Sequence, residues 1–266
     1  VQLHSDISTV AVIDPHDKLH IAGSKDGPFA WASITKVLTA YVFADAVADG
    51  VIAFEDETTI PGITFADLLS HASGIRAGDE ASIEPRTKRI YTNEAYDIAE
   101  RELINALGAG FEDVTVAQLF ADGISQAWDS TIVMRDSCAH SAFGTFDDLV
   151  ILLREMRQPR VVDPAIHAQL TQPYLPNLSG VVPGWGHFTH CVWGIGYEIH
   201  AEKKDHWMGT LLSPESFGHF GMSGSFVVHD PIQNISIACS SRKDFGPWAK
   251  KVWPALVDEL VKQYAN

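Results

Sequence analysis

The chain has 266 residues, 46% of them hydrophobic and 20% charged, the balance of an ordinary globular protein. A compact chain of this length buries roughly 70–75% of its unfolded surface, as one large domain or two small ones. Lys and Arg number 19 against 34 Asp and Glu, a net charge of −15. That field repels phosphate backbones and anionic lipid, so nucleic acid and membrane surfaces are not expected partners.

Residues 8–24 alternate around Asp14–Pro15–His16–Asp17 and predict a β-hairpin. From Ser33 the apolar residues Ile34, Val37, Leu38, Tyr41 and Val42 keep helical spacing until Gly50. Thr64 is placed to cap a short helix carrying Phe65, Leu68 and Leu69, ending at Ser73–Gly74. A polar loop over 76–89 leads to a helix from about Asn93 to Leu107, with Gly108 as its stop. Another covers about 113–122. Thr145 opens the next, with Asp148 where a capping-box acid sits. Asp163–Pro164 begins a short one.

Then the period changes. Residues 191–200, 218–229 and 233–241 read as strands, the last two joined around Asp230–Asn234. Residues 247–264 are helical again, with Pro254 expected to kink the helix or mark its start. No helix separates the late strands, so the sheet should be antiparallel and the class α+β. The helical block sits between the two ends of one sheet. The expected organisation is a single domain over 1–266: a sheet lobe of about 1–32 and 190–266, and a helical lobe of about 33–189.

Cys138, Cys191 and Cys239 are far apart and odd in number, so no disulfide framework uses all three. Buried free thiols in a reducing compartment, the cytoplasm, are expected. The start of the chain has neither a basic nor an apolar leader pattern; a trimmed leader would allow secretion or a periplasmic location. The charge-free stretch 164–197 is too rich in Pro and Gly for a membrane helix. His187 and His190 lie in a Gly-rich segment without helical character, so neither metal nor cofactor is expected.

Ser33 and Lys36 carry the first chemical signal. A serine hydroxyl needs a base to take its proton, and a helix starting at Ser33 puts Lys36 one turn on, on the same face. Helix-start N–H groups also suit a developing oxyanion. Alone, Ser-x-x-Lys is equally a capped helix with a snorkelling lysine. Tyr91-Thr92-Asn93 and His219-Phe220-Gly221 add two further polar sets. Singly they read as a core aromatic, an N-cap and an edge-strand polar residue.

In order and spacing, the three sets resemble the serine β-lactamase and penicillin-binding-protein family. The resemblance is to its branch of class C β-lactamases, D-amino-acid peptidases and β-lactamase-like esterases. It extends through LLSHASGI (68–75), YTNEAYDIAE (91–100), SAFGTFDDLVILL (141–153) and WGIGYEI (193–199), covering roughly 8–264. It implies an antiparallel sheet flanked by helices plus an all-helical lobe. It also implies a serine hydrolase acting through an acyl-enzyme on a small ester, a D-amino-acid-type amide or a β-lactam. Ser33 would be the nucleophile, Lys36 its proton acceptor and Tyr91 the second acid/base. Asn93 would hold the acyl side chain, and His219 and Gly221 would line the substrate. The N–H groups of Ser33 and Met222 would form the oxyanion hole. Lys36 would need its pKa lowered by about 3 units, through burial beside another cation. His71 reads as a structural hydrogen-bonding residue, and Trp185 as a substrate contact in the loop 173–193.

Several residues depart from the family pattern. The N-terminal helix common there is expected to be missing before Ser33. The short segment between Gly74 and Tyr91 should leave a more open or differently walled cleft. Phe220 stands where a threonine or glycine is usual, removing a hydroxyl for a substrate carboxylate. His219 replaces a lysine as a weaker, pH-dependent cation, so any β-lactam reaction should improve as pH falls. Esterase or peptidase-like activity is therefore expected over efficient β-lactamase activity. The rival expectation is a penicillin-binding sensor or scaffold that acylates without turnover.

Overall fold

The computed structural model describes residues 2–24, 27–78 and 83–265. Residues 79–82, within the expected polar loop, lie outside them. Strands β1 (Ile7–Ile13) and β2 (Leu19–Gly23) form the predicted hairpin. Its turn is set by Asp14, whose carboxylate accepts the N–H groups of His16 at 2.9 Å and Lys18 at 3.0 Å. A short β3 (Phe29–Ala30) runs into a 3₁₀ turn, Ala32–Ile34, and then α1 (Thr35–Ala48). Every residue of α1 from Thr35 to Ala44 is buried, marking a helix packed on all sides.

The helical block continues with α2 (Phe65–Leu69), α3 (Glu94–Leu107) and α4 (Val116–Phe120). After β4 (Val133–Met134) and β5 (Ala142–Gly144) come α5 (Phe146–Arg157) and α6 (Pro164–Thr171). Thr64 with Asp67, and Thr145 with Asp148, form the reciprocal capping boxes their spacing predicts. The chain then makes a hairpin of β6 (Gly180–Val182) and β7 (Gly186–Phe188). The strands β8 (Glu198–Ile199), β9 (Phe217–Gly221), β10 (Ser225–Asp230) and β11 (Ile235–Ser241) follow, and α7 (Pro247–Tyr264) closes the fold.

The main sheet is antiparallel, in the order β2-β1-β11-β10-β9-β8. Its two faces are sorted by strand alternation. Ala11, Ile13, Val227 and Ala238 pack with α1, whereas Val10, Val12, Phe226, Val228 and Ile237 pack with Trp253 and Val257 of α7. Cys138, Cys191 and Cys239 are buried and free.

Four expectations need correction. The stretch 218–229 is two strands, because Met222–Gly224 turn the chain and the Gly224 N–H donates to the Gly221 carbonyl at 3.0 Å. Of 191–200, only Glu198–Ile199 form a strand of the main sheet. Pro254 lies inside an unbroken α7, where burial of Trp253, Leu256 and Val257 outweighs one lost hydrogen bond. The short β3-β5-β4 sheet and the β6–β7 hairpin had no sequence signal, being strands of two or three residues.

Candidate active site

Ser33 sits in the 3₁₀ turn that feeds α1. The residue before it, Ala32, has φ +46, a left-handed conformation that costs a non-glycine residue about 1 kcal/mol or more. Thr35 braces this turn: its hydroxyl donates to the Ala32 carbonyl at 2.6 Å and accepts the Ala142 N–H at 2.9 Å. Ser33 is thereby held out of the packed helix while the residues after it are buried. Neither the Ser33 nor the Met222 N–H donates to another backbone group among the described residues.

Lys36 is fully buried. Its ammonium donates to Asn93 Oδ1 at 2.7 Å and to the Ala139 carbonyl at 3.0 Å, and lies 4.9 Å from the Tyr91 ring centre. Burial brings its pKa down to about 7, against the raising influence of Cys138, Asp97 and Glu94. The shift therefore needs no second cation, contrary to expectation. Asn93, at the start of α3, makes no cap with its side chain; it holds the lysine instead.

Tyr91 shares a side-chain hydrogen bond with Ser33. Burial pushes its phenol well above the ordinary value of 10, only partly offset by that bond. It is a proton-bearing phenol at neutral pH. His71 stacks on it at 4.4 Å between ring centres and meets Trp193 edge-on at 4.9 Å. Both His71 nitrogens are buried without a hydrogen-bond partner, so this residue acts by packing, not by the hydrogen bonding expected of it.

Strand β9 supplies the opposite wall. Beyond Gly218 it has no neighbour on its β8 side, leaving His219-Phe220-Gly221 at a free edge. A side chain on Gly221 would place its Cβ 2.2 Å from the Trp31 carbonyl, so glycine is what lets β9 lie against the Ser33 turn. His219 is buried, and its Nδ1 lies 2.7 Å from the Phe220 carbonyl. A carbonyl only accepts, so Nδ1 carries the proton. Burial and then the nearby Lys36 bring the His219 pKa down to about 3. The neutral ring thus leaves Nε2 with a lone pair and no partner. His219 is an acceptor at working pH, and the expected gain of a cation on mild acidification does not arise. The ring of Phe220 packs on Phe245, Trp207 and Trp253, in the core under α7.

Ser33, Tyr91, His219, Phe220 and Met222 line one cavity with Val182, Pro183 and Trp193. Its volume is about 30 Å³, room for roughly one water molecule. The cleft is differently walled, as expected, but it is closed rather than open. Trp185, taken from sequence as a substrate contact, does not line it; the ring packs on His206 and Phe245. Sequence reasoning missed Val182, Pro183 and Trp193, which only the short β6–β7 hairpin and an irregular segment bring to Ser33. That hairpin stands on a buried ion cluster. Glu198 accepts from His206 Nε2 and Trp207 Nε1, each at 2.8 Å, and has Lys203 Nζ at 3.4 Å, while His206 packs on Trp185 and Phe188.

A serine beside a buried neutral-capable lysine and a phenol, between a helical block and an antiparallel sheet edge, is the constellation the three motifs imply. The β-lactamase family model matches residues 9–262. The chain belongs to the β-lactamase family. Its fold is the β-lactamase/transpeptidase-like one. A β-lactamase from Mycobacterium bovis is 30% identical, with a TM-score of 0.90 over 98% of this chain and 96% of that one. A penicillin-binding protein from Bacillus halodurans is 13% identical, with a TM-score of 0.73 over 96% and 97% of the two chains. A D-stereospecific amidohydrolase from a Streptomyces species is 15% identical, with a TM-score of 0.65 over 91% and 92%. The last two likenesses show the fold alone. No curated protein matches the chain.

Proposed function

We propose that this β-lactamase-family protein is a serine hydrolase that forms an acyl-enzyme on Ser33. Its substrates are small esters or D-amino-acid-type amides, turned over faster than β-lactams. The observation that carries the reading is the buried Lys36, with a pKa near 7, beside a Tyr91 that is hydrogen-bonded to Ser33. At neutral pH a large fraction of Lys36 is an amine. It takes the Ser33 proton as Oγ bonds to the substrate carbonyl carbon, and the carbonyl π pair moves onto oxygen. The N–H groups of Ser33 and Met222 stabilise that oxyanion. On collapse the proton returns from Lys36 through Tyr91 to the leaving oxygen or nitrogen, so Tyr91 gives up one proton and receives another. Water then repeats the sequence and releases the acid.

The acceptor on His219 supports the preference for esters and amides. A substrate carboxylate would meet a lone pair where a cation is needed, an uncompensated burial costing on the order of a few kcal/mol. A neutral ester carries no such charge. The test is kcat/KM for 4-nitrophenyl acetate against nitrocefin. The ester should win by at least about tenfold, and Ser33→Ala should abolish both. Efficient β-lactam hydrolysis with negligible esterase activity would overturn the preference. A stoichiometric burst without steady turnover would instead favour an acylating sensor.

A further inference from the structure

Next to the catalytic cavity lies a second, larger hollow, about 370 Å³ in volume, within the usual range of small-molecule sites. It shares Tyr91 and Pro183 with the Ser33 cavity, so the two are continuous across the phenol. Its walls are cationic. Arg76 and Lys88 are exposed and line it, and neither makes an ion pair among the described residues. Arg89 lines it from the interior. Its guanidinium donates to the carbonyls of Cys191 at 3.1 Å, Ser70 at 2.7 Å, Leu175 at 3.1 Å and also Tyr174, and to no carboxylate. The positive charge there is satisfied for hydrogen bonds but not neutralised.

The hollow is also a built one. The Arg89 N–H donates to the Ser179 carbonyl at 2.7 Å, and a Cβ on Gly180 would fall 2.5 Å from that of Arg89. Close backbone packing thus fixes the start of β6 against the segment carrying Arg89 and Tyr91. No carboxylate is among the described lining residues. In a chain of net charge −15, three cations gathered without an acid make a local field opposite to the global one.

We propose that this groove is a subsite for an anionic group carried on the leaving-group side of the scissile bond, a carboxylate held by Arg76 and Lys88. The inference rests on the serine-hydrolase reading for its placement: Tyr91 hands the proton to the departing atom, so what lies beyond Tyr91 belongs to the departing fragment. It refines the substrate class. The acyl side is small and neutral, and the alcohol or amine side is acidic.

Two near-isosteric esters test it, 4-carboxyphenyl butyrate and the neutral 4-carbamoylphenyl butyrate. The wild type should favour the acid, and the ratio of their kcat/KM values should fall at least about fivefold in Arg76→Ala/Lys88→Ala, the scale of two exposed ion pairs. The wild-type ratio should also shrink as salt rises from about 20 to 300 mM. A ratio unchanged within twofold in the double variant would overturn the subsite. Calorimetric binding of 4-hydroxybenzoate and 4-hydroxybenzamide decides it without turnover: the acid should bind more tightly, and only its affinity should depend on Arg76 and Lys88. Equal affinities would overturn the groove assignment even if Ser33 acylates. Failure to hydrolyse either ester, with acid binding intact, would sink the hydrolase reading and leave the anion site standing.

Discussion

The Lys36 ammonium is 2.7 Å from Asn93 Oδ1 and bonds otherwise only to the Ala139 carbonyl, with no carboxylate paired to it. A lysine so placed is desolvated by the core and compensated by neutral acceptors alone. That is the arrangement that brings a lysine into the range of a general base.

Activity should therefore rise with pH. The kcat/KM of a short ester should follow one ionisation centred near 7, the Lys36 value. It should then hold level on the alkaline side, because burial keeps the Tyr91 phenol protonated above its ordinary 10. No second gain should come on acidification, since His219 protonates only near 3. A profile that climbs below pH 6 would restore the histidine to the role of a cation.

Stability should carry the same signature. The unfolded lysine keeps its proton up to about 10.5, whereas the folded one releases it near 7. The folded state binds fewer protons between those values, so stability rises with pH across that window and the Lys36 contribution is absent below 7. The urea midpoint of the wild type should rise between about pH 7 and 9 relative to that of Lys36→Met. Parallel midpoints would show that the lysine is not depressed.

Gly221→Ala should damage catalysis more than binding. Its Cβ would overlap the Trp31 carbonyl at 2.2 Å, and relief requires moving β9 away from the Ser33 turn. A displacement of about 1 Å can cost roughly 10²-fold in rate. The acylation rate constant under single turnover should fall by about that factor. Wild-type acylation in a folded Gly221→Ala protein would mean that the strand and the turn are not coupled.

Glu198→Gln should be costly to stability. Lys203 and Glu198 are each about 1% exposed, 3.4 Å apart, and removing one charge leaves the other buried without its counter-ion, a loss of roughly 3–5 kcal/mol. Urea unfolding reads it. A loss below about 1 kcal/mol would show the cluster to be hydrated.

Acyl size should be set by the β6–β7 hairpin. Val182 is buried against the 30 Å³ cavity, so Val182→Ala should raise the octanoate-to-acetate ratio of kcat/KM at least about threefold, the scale of a few methyl contacts. An unchanged ratio would place the acyl chain elsewhere.

Much of this was legible in the sequence where local chemistry decides structure. Thr64 and Thr145 announced their helices because a capping box is written in four residues, and the β1–β2 hairpin was readable from Asp14 onward. Ser33, Lys36, Tyr91, Asn93 and His219 were found because their motifs are local and ordered. What was not legible depends on long-range packing. Val182, Pro183 and Trp193 reach Ser33 through two- and three-residue strands that carry no periodicity. The protonation of His219 depends on the Phe220 carbonyl and on burial, neither visible in a string. Trp185 was misplaced for the same reason: an aromatic in a cleft-side loop can face either way, and this one faces Phe245. Phe220 shows the limit most clearly. The missing hydroxyl was readable, but its ring packs under α7, so exchanging it for threonine would open the core at a cost of about 3 kcal/mol or more.

The account stands or falls on Ser33 as the acylated residue. Intact-mass analysis after a fluorophosphonate, followed by peptide mapping, measures it directly. One adduct on the peptide containing Ser33, absent in Ser33→Ala and slowed at least about 10²-fold in Lys36→Ala, is the predicted result. An adduct on another serine, or undiminished labelling of Ser33→Ala, would contradict it.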